Sequence, residues 1–395
     1  MSSQREVVVL SGVRTAIGTY GGMLKDFAPT DLGAIVVREA VARAGVEPRE
    51  IEHVVFGNII HTDPHDMYVS RVSAVKGGIP VETPALTLNR LCGSGLQAII
   101  SAAQMIVLGD IDGAIGGGAE VMSRSPYSAP AMRWGARMGD AKLVDMMVGA
   151  LNDPFDDVHM GVTAENVAAK WGISREDQDA LAVESHRRAA AAIDAGYFKS
   201  QIVPVEVKVK GGVQIFDTDE NVRRDASLER MARLKPVFQK DGTVTAGNAS
   251  SINDAAAAVV LMERSVAEQR GYKPLARLVG YAHAAVEPKY MGIGPVPAVR
   301  RLLERTGLRL EEIDILEVNE AFAAQALAVI RDLDLPADRT NPNGSGISLG
   351  HPIGATGCIL TVKAVHELQR TGARYALVTM CIGGGQGIAA IFERL

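Results

Sequence analysis

The chain has 395 residues, 47% of them hydrophobic, and a formal net charge of -5. That is enough apolar material for a sizeable core and enough length for two or three domains. Lys and Arg are scattered, which excludes a nucleic-acid footprint and a polybasic membrane patch, so neither nucleic acid nor membrane is an expected partner. The start, MSSQREVVVLSGVRTAIG, has no apolar stretch of signal-peptide length, and no run of about 18 uncharged apolar residues occurs, so the expected location is cytoplasmic. Three cysteines, Cys92, Cys358 and Cys381, have no C-x2-C spacing, which argues for free thiols and against a disulfide framework or a metal site.

In chain order, Glu6 to Leu10 reads as a strand and Asp31 to Ala44 as an amphipathic helix with Thr30 as its cap. His53 to Asn58 is a second strand. The turn Cys92-Gly93-Ser94-Gly95 follows another and opens an Ala/Ile/Leu-rich helix. From about Val121 to Asn248 the character changes to Met, Arg, Asp and polar helices, including one begun by Ser174 with Asp177 three residues on, and the apparent strand VPVEVKV. Strand and helix then alternate again through Leu275 to Ala282, Val296 to Thr306, Ile313 to Asn319 and Tyr375 to Cys381. The alternation predicts an α/β fold with mostly buried strands.

The two ends repeat. His53 to Asn58 matches Asp314 to Asn319, and Ala114 to Gly118 matches Cys381 to Gly385, with a small-residue turn and a helix between each pair. That places Cys92 and His351 at equivalent turns, which face one another if the halves pack about a pseudo-twofold axis. The expected division is residues 1–120 with 249–272, an inserted loop domain at 121–248, and residues 273–395. An insertion of this length in an α/β scaffold carries binding or assembles oligomers.

Cys92 stands where helix N–H groups and dipole stabilise a thiolate, although a small buried hydrophobe is the other reading. Gly93-Ser94-Gly95-Leu96-Gln97-Ala98 also fits a dinucleotide-binding fingerprint, with Glu120 ending the next strand. An NAD(P) oxidoreductase is therefore the rival function, and it leaves His351 and Cys381 without work. His351 lies in a tight turn with little apolar packing to do. Cys381 enters IGGGQG, whose glycines allow close backbone approach and an anion-binding nest. Asn319 and Glu320 end a strand, a position equally suited to catalysis and to capping a helix.

Four motifs in this order, LCGSGLQA around Cys92, NEAFAAQ from Asn319, GISLGHPIGATG around His351 and CIGGGQG from Cys381, resemble the thiolase family over the whole chain. The resemblance implies a thiolase-like fold: two repeated βαβ-rich halves with mixed five-stranded sheets in a layered α/β arrangement, plus an inserted loop subdomain. It implies an acyltransferase with no permanently bound cofactor and coenzyme A thioesters as substrates. Cys92 is then the nucleophile, His351 its base and Cys381 the acid/base of the condensing step. Asn319 with His351, and the N–H groups of Cys92 and Gly383, are the oxyanion donors. Arg223 falls at the adenine-nucleotide end, with Leu151, His159, Met160, Phe238, Ala246 and Ser250 along the pantetheine path. Met291, Ala321 and Phe322 fall near the acyl group.

Arg230 and Ser251 depart from the family's usual small polar residue and glycine, which touches local CoA contacts only. Decarboxylating ketoacyl synthases have no equivalent of Cys381, sterol-carrier thiolases carry histidine in place of Asn319, and a non-catalytic scaffold would show eroded motifs. Acetyl-CoA acetyltransferase and broader short-chain β-ketothiolase both remain, since one methylene changes discrimination by only about 1 to 3 kcal/mol. A homotetramer is expected by resemblance.

Overall fold

The computed structural model describes residues 5–395. Its principal strands are β1 (Val7–Thr15), β2 (His53–Gly57), β3 (Ala85–Leu88), β4 (Gly113–Val121), β5 (Asn253–Glu263), β6 (Ala276–Ala285), β7 (Ile315–Val318), β8 (Tyr375–Ile382) and β9 (Gln386–Arg394). The principal helices are α1 (Pro29–Ala44), α2 (Val69–Lys76), α3 (Ser94–Leu108), α4 (Met160–Trp171), α5 (Arg175–Asp194), α6 (Pro295–Thr306), α7 (Ala323–Asp332) and α8 (Thr356–Thr371). Every residue of β1, β4, β5 and β8 is buried, as expected for strands covered on both faces.

The strands run in the order β7-β8-β9-β6-β1-β5-β4-β2-β3. The two halves meet edge to edge where β1 lies antiparallel to β6, with Val8 opposite Arg277 and Val9 opposite Ala276. The first half contributes five strands. The second contributes four, with a single parallel bridge between Leu316 and Thr340 in the place of its fifth. Two of the parallel pairs, β2 with β4 and β7 with β8, share one spacing: Val54 opposes Ile115 and Ile315 opposes Ala376. This register corrects the glycine alignment of the repeat. Gly116 to Gly118 lie inside β4, level with Leu377 to Thr379 of β8, whereas Gly383 to Gly385 follow β8 in a turn.

Helices α3 and α8 pack against each other between the strands of the two halves, while α1 and α6 cover the outer faces. Two glycines permit the close approach of the central pair: a Cβ on Gly95 would stand 2.6 Å from Cys358 N, and one on Gly357 would stand 2.3 Å from Leu96 N. The stretch Leu91–Leu108, apolar and long enough for a membrane span by composition, is this central core helix with its lead-in. Helix α1 begins through Pro29, which pre-sets φ at the first helical position, with Ala28 as its N-cap. Thr30 is therefore inside the helix and buried, and does not cap it. Ser174 does cap α5, accepting from Asp177 N at 3.0 Å.

The segment between β4 and β5 carries α4, α5 and the hairpin Val205–Val209 with Gly212–Phe216. It is tied to β1 by a buried ion pair in which Arg14 donates to both oxygens of Asp219, at 2.7 and 2.9 Å.

Candidate active site

The chain enters the Cys92 turn under strain. Leu91 has φ 44°, a left-handed conformation that costs a residue with a Cβ about 1–2 kcal/mol. Its neighbours over-determine it: Leu91 N donates to Asn89 Oδ1 at 2.8 Å, and Leu91 O accepts from Ser94 Oγ at 2.7 Å. The result lifts Cys92 to the mouth of α3, partly exposed, whereas Cys358 and Cys381 are buried. The backbone N–H groups of Gly383 and of Cys92 itself point at the Cys92 sulfur. Burial outweighs them and, with the Glu120 carboxylate, pushes the thiol up to about 11. Instead of a resting thiolate, the expectation from the helix N-terminus alone, the free site holds a neutral thiol.

His351 is held at three atoms. Its N–H donates to Asn253 Oδ1 at 2.9 Å, its Nδ1 lies 2.7 Å from Thr356 Oγ1, and its Nε2 lies 3.4 Å from Asn319 Nδ2. The Thr356 hydroxyl donates to Pro352 O at 2.9 Å. Its single proton is thus used, so Nδ1 must be the donor toward it and Nε2 is the unprotonated nitrogen, with Asn319 Nδ2 beside it. Burial lowers the imidazole to about 4, so it is neutral. Asn319 is fully buried behind His351, and its Oδ1 has no partner among the described residues.

Cys381, at the end of β8, is pushed up by burial and then by the charge that a Cys92 thiolate would carry. The two thiols are close enough that ionising one opposes ionising the other.

Cys92, His351, Cys381 and Gly383 line one cavity of about 520 Å³. Met160, Met291, Ala321 and Phe322 form an apolar wall beside Cys381. Leu151, His159, Phe238, Ala246 and Ser250 line the path outward, and the His159 and Phe238 rings stack at 4.6 Å. Arg223 stands at the outer end, where a second cleft of about 120 Å³ adjoins through shared residues and is lined also by Arg230, His186 and Asp225. Arg230 pairs with Asp225 there. All the sequence-predicted side chains come together at this cavity except Asn319, which reaches it through His351.

Sequence reasoning missed the supports. Thr356 lies inside the GISLGHPIGATG motif but the resemblance assigns it no role, and Asn253 opens an Ala-rich strand whose local pattern does not mark it. Ser251 donates to Asn253 Oδ1 at 2.8 Å, so this departure from the resemblance buttresses the His351 turn as well as bordering the cavity. Glu320 does not cap α7. Gln325 does, its Oε1 accepting from Ala321 N at 3.1 Å, while Glu320 accepts from Ser185, Asn341 and Ile347. The dinucleotide reading fails on the glycines: a Cβ on Gly93 would stand 2.6 Å from Ile382 Cδ1, and Gly95 abuts α8. The fingerprint positions are filled by packing and leave no room for a pyrophosphate.

An α/β scaffold of two pseudo-equivalent halves, with paired thiols and a histidine at the end of an elongated apolar cavity, defines an acyl-transfer class of site. The chain belongs to the thiolase family: residues 7–265 match the family's "Thiolase, N-terminal domain" and residues 272–394 its "Thiolase, C-terminal domain". It is 69% identical over 392 residues to "Beta-ketothiolase BktB" of Cupriavidus necator, covering 99% of this chain and 100% of that one. It is 46% identical over 394 residues to "3-ketoacyl-CoA thiolase, mitochondrial" of Homo sapiens, covering 100% and 99%. The crystal structure of the Bacillus anthracis acetyl-CoA acetyltransferase superposes with a TM-score of 0.98 at 46% identity over 100% of both chains. That of human mitochondrial 3-ketoacyl-CoA thiolase in complex with CoA does so with 0.96 at 45% identity over 99% and 98%.

Proposed function

We propose that this thiolase joins acetyl-CoA to a short acyl-CoA to give a 3-ketoacyl-CoA, and cleaves the product with CoA in reverse, through an acyl-Cys92 intermediate. The carrying observation is that the unprotonated Nε2 of His351, the Cys92 thiol, the Cys381 thiol and two N–H donors share one cavity end. His351 Nε2 takes the Cys92 proton as the sulfur attacks the thioester carbonyl, whose oxygen gathers charge between the N–H groups of Cys92 and Gly383. The departing CoA thiolate takes the Cys381 proton. Acylation leaves Cys92 unable to ionise, so no Cys92 thiolate opposes the Cys381 thiolate, which can take the α-proton of a second acetyl-CoA. The carbanion attacks acyl-Cys92, and the released Cys92 thiolate recovers its proton from His351. During the carbanion's lifetime, imidazolium Nε2–H beside Asn319 offers the enolate oxygen a charged donor.

The outer cleft, with Arg223 and Arg230, suits the phosphates of CoA, and the mostly apolar path suits the pantetheine arm. The flexible Met160 and Met291 walls, together with the 69% identical relative named a β-ketothiolase, favour a broader acyl range over acetoacetyl-CoA alone. The expected homotetramer finds support in the arm around residues 127–148, which exposes Tyr127, Met132, Trp134 and Met138. The test of the mechanism is mass spectrometry with acetyl-CoA. Cys92→Ser forms no acetyl-thioester enzyme, and Cys381→Ala forms it but makes no acetoacetyl-CoA; condensation at the normal rate by Cys381→Ala overturns the two-thiol scheme.

A further inference from the structure

The register that equates Val54 with Ile315 and Ile115 with Ala376 also equates Asn58 with Asn319 and Glu120 with Cys381. The second half thus uses its Asn–Cys pair at the cavity, Cys381 directly and Asn319 through His351, and the first half carries an Asn–Glu pair in the mirrored place. Glu120 is fully buried at the end of β4. Oε1 accepts from Asn58 Nδ2 and Ile60 N, each at 3.1 Å, and Oε2 accepts from Ile59 N at 3.1 Å and Gly354 N at 3.0 Å. Burial raises this carboxyl to about 8, against its N–H donors, which lower it; a protonated oxygen would set its hydrogen against one of those four donors. The contacts fit a carboxylate.

Gly354 belongs to the other half and to the turn that carries His351. A Cβ there would lie 2.4 Å from Glu120 Oε2, so a glycine is needed for its N–H to reach the carboxylate. Of the turn's restraints, Thr356 comes from the second half, while Asn253 and Glu120 come from the first, the half that carries Cys92.

We propose that Glu120 is a positioning residue for the acyl transfer, clamping the His351 turn of the second half to the strand ends of the first through Gly354 and so setting His351 against Cys92. The proposal rests on the assignment of Cys92 and His351 above. Its charge has a second consequence: when ionised, it opposes a Cys92 thiolate at rest. The other titratable groups facing this arrangement are Cys381 beside Cys92 and Asp66 beside Glu120.

The experiment compares Glu120→Gln and Glu120→Asp with the unaltered full-length enzyme, reading thiolysis kinetics and the iodoacetamide alkylation rate of Cys92 by peptide mass spectrometry across pH. Glu120→Gln removes the charge and turns an amide N–H toward donors. We expect kcat to fall about 100-fold with KM within about twofold, and alkylation at a given pH to quicken about tenfold. Glu120→Asp keeps the charge but is one methylene short of the four donors, so kcat falls while the alkylation profile stays. A normal kcat in either variant, or a Glu120→Gln alkylation profile equal to that of the unaltered enzyme, overturns the proposal. If Glu120→Gln does not fold, Glu120→Asp decides it by the same two readings. The acyl-enzyme scheme is judged separately, by Cys92→Ser and Cys381→Ala, and survives failure here.

Discussion

His351 Nδ1 lies 2.7 Å from Thr356 Oγ1, and the Thr356 hydroxyl donates its hydrogen bond to Pro352 O. One side chain thereby decides which imidazole nitrogen is basic. Thr356→Val removes the acceptor, frees the other tautomer and should lower kcat for thiolysis about 100-fold with little change in KM. Thr356→Ser keeps the hydroxyl and should restore most of the rate. A near-normal rate in Thr356→Val with a loss in Thr356→Ser would show that the methyl packing, and not the hydrogen bond, is what matters.

The resting charges set the pH dependence. His351 is lowered to about 4, so acidification protonates the base, and stops acylation, only near that value. Cys92 is raised to about 11, so alkylation of the free enzyme should climb about tenfold per pH unit between about pH 7 and 9, because the thiolate fraction does. A plateau in alkylation through neutrality, or an acid limb of kcat/KM near an ordinary histidine's value of about 6.5, would instead mean a standing thiolate–imidazolium pair.

Lys363, almost fully buried, donates to Glu317 Oε2 at 2.8 Å and to Gly344 O at 2.6 Å, and so ties the loop before His351 to β7. Lys363→Met leaves Glu317 buried and unpaired, and should destabilise the protein by about 3–5 kcal/mol, read as a lowered unfolding midpoint. Combining it with Glu317→Leu should recover much of that loss. If the double variant is no more stable than the single one, the unpaired carboxylate is not the cause.

The methionine-walled acyl end should admit more than four carbons. Thiolysis of acetoacetyl-CoA, 3-ketovaleryl-CoA and 3-ketohexanoyl-CoA is expected to show the five-carbon substrate within about tenfold of the four-carbon one, since a methylene changes binding by about 1 to 3 kcal/mol. A steep fall immediately after four carbons would restrict the enzyme to acetoacetyl-CoA.

In the arm around residues 127–148, Trp134 and Met138 are 87% and 98% exposed, an unfavourable arrangement for a free chain. Replacing both by serine should lower the assembled mass seen in light scattering while leaving the fold's circular dichroism intact. An unchanged mass would place the assembly contact elsewhere.

By itself, the sequence determined the strand and helix alternation and the four motifs, and the family resemblance that those motifs carry supplied somewhat more than half of the residues lining the cavity. Those signals are local: hydrophobic period, glycine turns and short runs of chemistry-bearing residues survive in one dimension. It misled where an assignment needed partners. The glycine triplets looked equivalent by letter, but hydrogen-bond register puts one inside β4 and the other beyond β8. Thr30 looked like a cap, but the helix starts at Pro29 with Ala28 as its cap, two positions earlier. The Cys92 turn looked like a place for a thiolate, yet desolvation outweighs the N–H groups once the cavity closes around it. Only the tertiary structure brought Thr356, Asn253 and Glu120 to the His351 turn, because each acts through a hydrogen bond or a charge to a group that folding brings alongside it.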